Sequence, residues 1–292
     1  MPENTPANKK KKVTKNRLRF RRFCAVMILL FIVWWYNNYT LKTEYLTISS
    51  PKISSPVRIA VISDLHASYI SISNEHITDS IIKADPDIVF MLGDMYTNGA
   101  SERKKYIPVE LTQMITDAGY QVYFVRGEHD ADFSYTQDMI RAGAHIMHYK
   151  EEKIQVNGNN IQIFGINDSY YSDDFDLSYN FTKDPECYSI LMAHIPNYPK
   201  FSKFGADLTL CADTHGGMIQ LPFGLGAAYD ALTGKWFPEI GTKRLVFDKG
   251  LFRYHGGAMF ITSGIGVYPA PVRFNNRPEV AVIDIMPEKK GG

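Results

Sequence analysis

Three cysteines among 292 residues, Cys24, Cys187 and Cys211, provide no disulfide framework and no CxxC zinc pair. Cys187 and Cys211 are expected as small buried residues at or near strands, a disulfide between them being the alternative. No internal repeat and no long low-complexity region is present, so the chain is not a repeat array. A basic stripe is also missing from most of the chain. Of 32 Lys/Arg and 31 Asp/Glu, nine bases and one acid (Glu3) fall in residues 1–22, leaving 23 bases against 30 acids. An acidic domain of this kind argues against a nucleic-acid partner. With 45% hydrophobic and 13% aromatic residues, the chain is long enough for one catalytic-sized domain.

The charges missing after residue 22 give way to 23-FCAVMILLFIVWWY-36, an uncharged apolar run that the stems of Arg21 and Arg22 extend. The sequence predicts a short membrane span here, with Trp34, Trp35 and Tyr36 as an interfacial belt and the basic end retained in the cytoplasm. The expected division is a basic cytoplasmic tail over 1–22, a transmembrane signal anchor over 23–39, a linker with an edge strand over 40–56 and the domain over 57–287. The protein is then a single-pass membrane protein with its catalytic domain outside the cytoplasm. A cleaved signal peptide is the rival, but no small-residue cleavage pattern follows the run. A buried amphipathic helix is a further alternative, and the residues around Arg21-Arg22 fit a twin-arginine signal poorly.

From Tyr45 onward, apolar runs of strand length alternate with helical patterns. The strand 57–63, a helix near 75–84 and the strand 87–92 predict a parallel βαβ unit. Helices near 109–118 and 135–142 and strands at 121–126 and 144–149 repeat it. The segment 153–166 reads as a hairpin turning through Asn-Gly-Asn-Asn. Strands at 188–193 and 207–212, and the strand-rich final third, predict a second sheet.

Chemistry in open α/β sheets gathers at the carboxyl ends of strands. Five of the predicted strands end in candidate ligands: 63-SDLH-66, 93-GD-94, 127-GEHD-130, His194 and 213-DTH-215. Singly, a carboxylate after a strand is usually a turn former or helix cap, and a lone histidine a satisfied loop residue. Together they are harder to dismiss, because four of eight histidines (His66, His129, His194, His215) fall at such ends with acids beside them. Asp, Glu and His bind hard or borderline divalent cations, and their number exceeds what one ion needs. A pair of ions sharing a bridging carboxylate can polarise a phosphoryl oxygen for in-line displacement.

At these residues the sequence resembles the calcineurin-like metallophosphoesterase family over nearly all of 56–287. The family pattern runs Asp-x-His, Gly-Asp, Gly-Asn-His-Asp/Glu, a lone His and Gly-His-x-His. Asp64 with His66, then Asp94, His129, His194 and His215 match it in order. The resemblance implies an α/β fold, a four-layer αββα sandwich with two mixed β-sheets, here preceded by the N-terminal transmembrane helix. It looks most like a membrane-anchored or exported branch, whose members share Thr-His-Gly-Gly and a following Leu-Pro, as in 214-THGGMIQLP-222.

By that resemblance, Asp64, His66 and His215 hold a first ion, Asp94 bridges, His194 serves the second, and His129 is the catalytic group that protonates the leaving oxygen or stabilises the transition state. Glu128 and Asp213 stand where the family has the Asn and first His of the second-ion ligands, so the second site is expected to be altered and more carboxylate-rich. Thr97 stands where an Asp often supports the histidine, and Met218 where the branch usually has Gln. The expected cofactors are two divalent ions, with Mn, Mg or Fe preferred over Zn. The expected function is a membrane-anchored phosphoesterase hydrolysing a phosphomono- or diester, its substrate lipid-linked or from the cell envelope. The alternative is a degenerate metallophosphoesterase fold that binds a metal or phosphorylated ligand without turnover.

Overall fold

The structure, a computed structural model, describes residues 6–68, 71–167, 175–230, 234–237 and 246–288, with side chains from residue 15 onward. Helix α1 (Pro6–Tyr39) leads into β1 (Lys42–Ser50) and β2 (Val57–Ile62). Then α2 (Asn74–Ala84), β3 (Ile88–Met91), α3 (Glu102–Asp117), β4 (Gln121–Phe124), α4 (Phe133–Arg141) and β5 (Ala144–Ile146) alternate. Strands β6 (Lys150–Val156) and β7 (Asn159–Gly165) form a hairpin through Asn157 and Gly158, whose φ of 51° and 78° suit a tight turn matched to strand twist. The rest comprises β8 (Tyr188–Met192), α5 (Tyr198–Phe204), β9 (Leu208–Cys211), the short pair β10 (Tyr229–Asp230) and β11 (Lys235–Trp236), and then β12 (Gly250–Tyr254), β13 (Gly257–Ile261) and β14 (Glu279–Pro287).

Two six-stranded mixed sheets result. The first has the order β1-β14-β2-β3-β4-β5, with β14 antiparallel to β2 and the other pairs parallel. The second has the order β12-β13-β9-β8-β7-β6, parallel from β13 to β7 and antiparallel at both edges.

Strand alternation divides the core into layers. In β2, Val57, Ile59 and Val61 join Phe90, Tyr123, Ile163, Ile190 and Leu210 between the sheets. Their neighbours Ala60 and Ile62 face a second cluster with Ile77 and Ile81 of α2, Leu111 and Ile115 of α3 and Met139 of α4. Beyond the second sheet, Phe164, Leu191 and Cys211 pack on Phe201 and Phe204 of α5. The order is helices, sheet, sheet, helix: the αββα sandwich. Each fully buried aliphatic side chain contributes about 1.5–3 kcal/mol. The layers therefore hold the strand ends rigidly in register.

Cys187 and Cys211 are buried free thiols, so the disulfide alternative is not realised.

The N-terminal segment departs from expectation. No helix among the described residues is long and apolar enough to cross a membrane. The basic block and the apolar run share the single helix α1, and the uncharged run of 14 residues spans only about 21 Å, against about 30 Å of hydrocarbon. At its far end the helix bonds to the domain instead of continuing apolar. Asn37 and Asn38 are buried, Asn38 exchanges two hydrogen bonds with the Arg273 backbone, and Trp34 Nε1 donates to the Pro271 carbonyl at 2.7 Å. Arg277 lies on the Tyr36 ring, 4.5 Å from its centroid, and donates to the Leu41 carbonyl. The transmembrane anchor, the membrane partner bound through it, the single-pass location and the placement in an anchored branch are corrected accordingly.

Candidate metal centre

The ends of β2, β3, β4, β8 and β9 converge at one edge of the sandwich, each delivering a short loop of ligand-type residues. These loops are tightly wound. Asp64, His66, Asp94, Asp213 and His215 all have positive φ, between 48° and 69°. Left-handed backbone is uncommon away from glycine and costs of order 1–3 kcal/mol where packing enforces it, and functional sites are where it concentrates. Glycine is required beside them: a Cβ on Gly127 would stand 2.2 Å from Asp94 Oδ1, and one on Gly93 would stand 2.2 Å from the Gly127 nitrogen.

Asp94 lies at the centre. Its Oδ1 accepts from the His129 backbone N–H at 2.9 Å. Its Oδ2 lies 3.3 Å from His194 Nε2, 3.8 Å from His66 Nε2 and 3.9 Å from His129 Nε2. On one side His66 Nε2 meets His215 Nε2 at 3.2 Å, and His215 Nε2 lies 4.0 Å from Asp64 Oδ1. On the other, His194 Nε2 is 3.9 Å from Asp64 Oδ1 and 3.7 Å from Asp213 Oδ1. Three overlapping groups emerge that could hold a metal ion: Asp64 with His66 and His215, His66 with Asp94 and His129, and Asp64 with Asp94 and His194. They share members, as a binuclear site requires.

The donors suit cations. His194 is fully buried and its Nδ1 sits 2.7 Å from the Leu92 carbonyl, which must accept. In the neutral ring the lone pair is therefore left on Nε2, a buried atom with no aligned hydrogen-bond partner; burial opposes protonation there, but Asp94, Asp64 and Asp213 outweigh it and hold the metal-free ring well above the ordinary histidine value, so a cation at Nε2 would replace a proton. Burial pushes the Asp64 carboxyl up to about 7, with His194 opposing and Asp94 adding. Burial likewise raises Asp213 to about 6. Buried carboxylates held together this way gain from a positive partner. His66 and His215 are both held neutral, first by burial, with Arg273 contributing to each, and a neutral ring is the ligating form.

His129 differs from the other histidines. Its Nδ1 accepts from the Asn98 backbone N–H at 3.0 Å, so a neutral ring carries its proton on Nε2, the atom facing Asp94. A protonated Nε2 donates and does not ligate. Thr97, which stands where an Asp often supports the histidine, has its Oγ1 3.3 Å from His66 Nδ1.

The structure also corrects the altered second site. The three groups assemble without Glu128 or Asp213. Asp213 faces His194 from the margin with a 23% exposed side chain, and Glu128 is solvent-exposed on its loop. The two departures from the family pattern thus fall at the margin and leave the clusters intact.

Three further residues support the ligands. Arg273, fully buried, donates to the carbonyls of Ser263 and Gly266 at 2.8 Å each, and its Nη2 lies 3.5 Å from His215 Nδ1. The Tyr268 ring stacks on His66 at 4.4 Å and meets His129 edge-on at 5.2 Å. Asp130 accepts from the backbone of Met95 and Gly127, tying two ligand loops together. Only Asp130 carried a sequence signal, as the last residue of 127-GEHD-130; the other contacts depend on the path of the 262–277 loop.

Residues 57–217 match the family described as calcineurin-like phosphoesterase. A Bacillus subtilis protein, the uncharacterized metallophosphoesterase YkoQ, is 27% identical over 89% of this chain and 98% of its own length. A second from that organism, YkuE, is 24% identical over 78% of each chain. Among solved structures, TT1561 of Thermus thermophilus aligns with a TM-score of 0.45 at 11% identity, covering 72% of this chain and 90% of that one.

Proposed function

The chain belongs to the calcineurin-like phosphoesterase family, and on that premise we propose a division of labour among its site residues. It is a metal-dependent phosphoesterase, a hydrolase acting on phosphoester bonds. Asp64, His66 and His215 would hold one ion, His194 would serve the other with Asp213 beside it, and Asp94 would be shared between them. Glu128 adds negative charge from the exposed rim. The observation that carries this reading is Asp94 Oδ2, within 4 Å of both His66 and His194.

When bound, the metal pair supplies Lewis-acid polarisation of the phosphoryl oxygens. The protein supplies the rest. Leu92 fixes the His194 tautomer, the His129 backbone amide fixes Asp94, and the Asn98 amide holds a proton on His129 Nε2. As a water oxygen bonds to phosphorus, releasing a proton to solvent, and the ester P–O bond breaks, the His129 Nε2 proton is placed to pass to the leaving oxygen. With Asp64 and Asp94 supplying oxygen donors, Mn²⁺, Mg²⁺ or Fe²⁺ is favoured over Zn²⁺.

The membrane-anchored form of this reading does not stand. The findings fit a second reading better than an anchored enzyme: a metallophosphoesterase fold that holds a metal or phosphorylated ligand without turnover. Tyr268, lying across His66 and His129, is the observation in its favour. The deciding experiment measures metal content of the full chain together with hydrolysis of 4-nitrophenyl phosphate and bis(4-nitrophenyl) phosphate in Mn²⁺, with and without chelator. Chelator-sensitive hydrolysis of either ester is expected; bound metal with neither ester hydrolysed would establish the second reading.

A further inference from the structure

His66 is stacked against two rings. Tyr268 lies on it at 4.4 Å and His215 at 5.0 Å, each at an interplanar angle of 18°, and His129 meets both His66 and Tyr268 edge-on, at 5.1 and 5.2 Å. At Nδ1 hydrogen bonding adds little, since the Thr97 hydroxyl stands 3.3 Å away, longer than an ordinary bond. Ring contact therefore carries much of the orientation of His66. Tyr268 is 37% exposed and so is no core filler; what its ring covers is a buried histidine.

The loop that carries Tyr268 is pinned on both flanks. On one, the Gly266 N–H donates to the Asp64 carbonyl at 2.6 Å, and the Gly266 carbonyl accepts from the Arg273 guanidinium at 2.8 Å. On the other, the Pro271 carbonyl accepts from Trp34, and the Arg273 backbone exchanges bonds of 3.1 and 2.8 Å with the Asn38 amide. Asn37 adds an acceptor for the Asn275 N–H at 2.7 Å. Tyr268 and α1 both lie outside residues 57–217, so this fastening is additional to the segment that carries the family match.

A metal-bound imidazole is kept in line by the groups around it, and losing one of them costs about 10–100-fold in metal affinity or activity. Tipping the ring of His66 or His129 would carry its Nε2, now 3.8 or 3.9 Å from Asp94 Oδ2, out of the centre. We infer that Tyr268 is a positioning residue of the metal centre, fixing the ring planes of His66 and His129, and that Trp34 and Asn38 of α1 act on the centre through it. The inference rests on the reading of His66 as a ligand and His129 as the proton donor.

The test titrates the metal-free full chain with Mn²⁺ by calorimetry and follows hydrolysis of bis(4-nitrophenyl) phosphate at saturating Mn²⁺. Tyr268→Ala should lower Mn²⁺ affinity by about tenfold and reduce kcat with little change in KM. Tyr268→Phe, which keeps the ring, should stay within about twofold of the parent in both. Tyr268→Leu, apolar but not flat, should behave as Tyr268→Ala and stands in for it if that variant fails to fold. Asn38→Ala should lower Mn²⁺ affinity by about threefold and add nothing in the Tyr268→Ala background, as residues acting through one another do. Trp34→Phe, which removes one exposed bond, gives the same pattern if Asn38→Ala fails to fold.

Parental Mn²⁺ affinity in Tyr268→Ala and Tyr268→Leu overturns the inference. So does a Tyr268→Phe chain as weak as Tyr268→Ala, or faster turnover on removal of the ring, which would make Tyr268 an obstruction. An Asn38→Ala loss that is the same with and without Tyr268 overturns the part assigned to α1. If the affinities fall in the expected order and no chain hydrolyses the ester, the positioning role stands and the phosphoesterase reading falls; if the parent hydrolyses it and every variant keeps parental affinity, the reverse holds. A parent that takes up no Mn²⁺ overturns both.

Discussion

Asp64 and His194, at the base of the metal centre, are fully buried, whereas Asp213 at its margin is 23% exposed and Glu128 is open to solvent. The base is also the better anchored. Asp64 accepts from Ser63 at 2.6 Å, His194 is set by Leu92 and Asp94 by the His129 amide, all through groups that are themselves buried or backbone. Asp64, Asp94 and His194, which match the family pattern, occupy the base, whereas Glu128 and Asp213, which depart from it, occupy the margin. The difference teaches that chemistry is constrained where burial removes water as an alternative partner, and relaxed where solvent can stand in.

Four substitutions test that contrast, beginning at the base. Asp94→Asn should lower turnover beyond about 10⁴-fold, since Lewis-acid stabilisation worth several kcal/mol depends on both ions. Elemental analysis should show metal lost along with activity. His129→Ala should cost about 10²–10⁴-fold while leaving metal content intact, the behaviour of a proton donor. If it strips metal as His215→Ala does, His129 ligates and the Asn98 bond does not set its tautomer.

At the margin the effects shrink. Thr97→Asp places a carboxylate beside His66 Nδ1 and should raise Mn²⁺ affinity by about tenfold, read by titration of the metal-free chain. An unchanged affinity would mean that His66 is already fully oriented. Glu128→Gln should alter turnover and Mn²⁺ affinity by no more than about twofold, because an exposed charge is screened by water. A loss approaching that of Asp94→Asn would erase the distinction between base and margin.

Much of this architecture was legible before any coordinates. The short apolar runs at 57–63, 87–92 and 188–193 marked strands because each side of a sandwiched sheet is buried, and the ligands stood directly after them. The hairpin at 153–166 announced itself through Asn-Gly. What sequence could not supply were contacts between residues far apart along the chain: Arg273 beside His215, Trp34 on Pro271, Tyr268 over His66. None leaves a periodic trace. The apolar run at 23–36 misled, since hydropathy marks a span without showing that the next turn, Asn37 and Asn38, binds the domain. Nor could sequence show that Thr97, read only as a missing Asp, places its hydroxyl beside His66 Nδ1.

The left-handed backbone at Asp64, His66, Asp94, Asp213 and His215 has an evolutionary meaning. That conformation admits aspartate, asparagine, histidine and glycine readily and excludes β-branched side chains. Mutation at such a position is filtered by the main chain before chemistry is consulted, and the residues that pass are mostly metal ligands or their near relatives. Position 213, with φ of 69°, can therefore exchange an imidazole for a carboxylate without remodelling its loop, whereas valine or isoleucine would have to break the turn first. The permitted vocabulary of the site was written into its backbone, and drift between relatives can wander within that vocabulary while the loop remains unchanged.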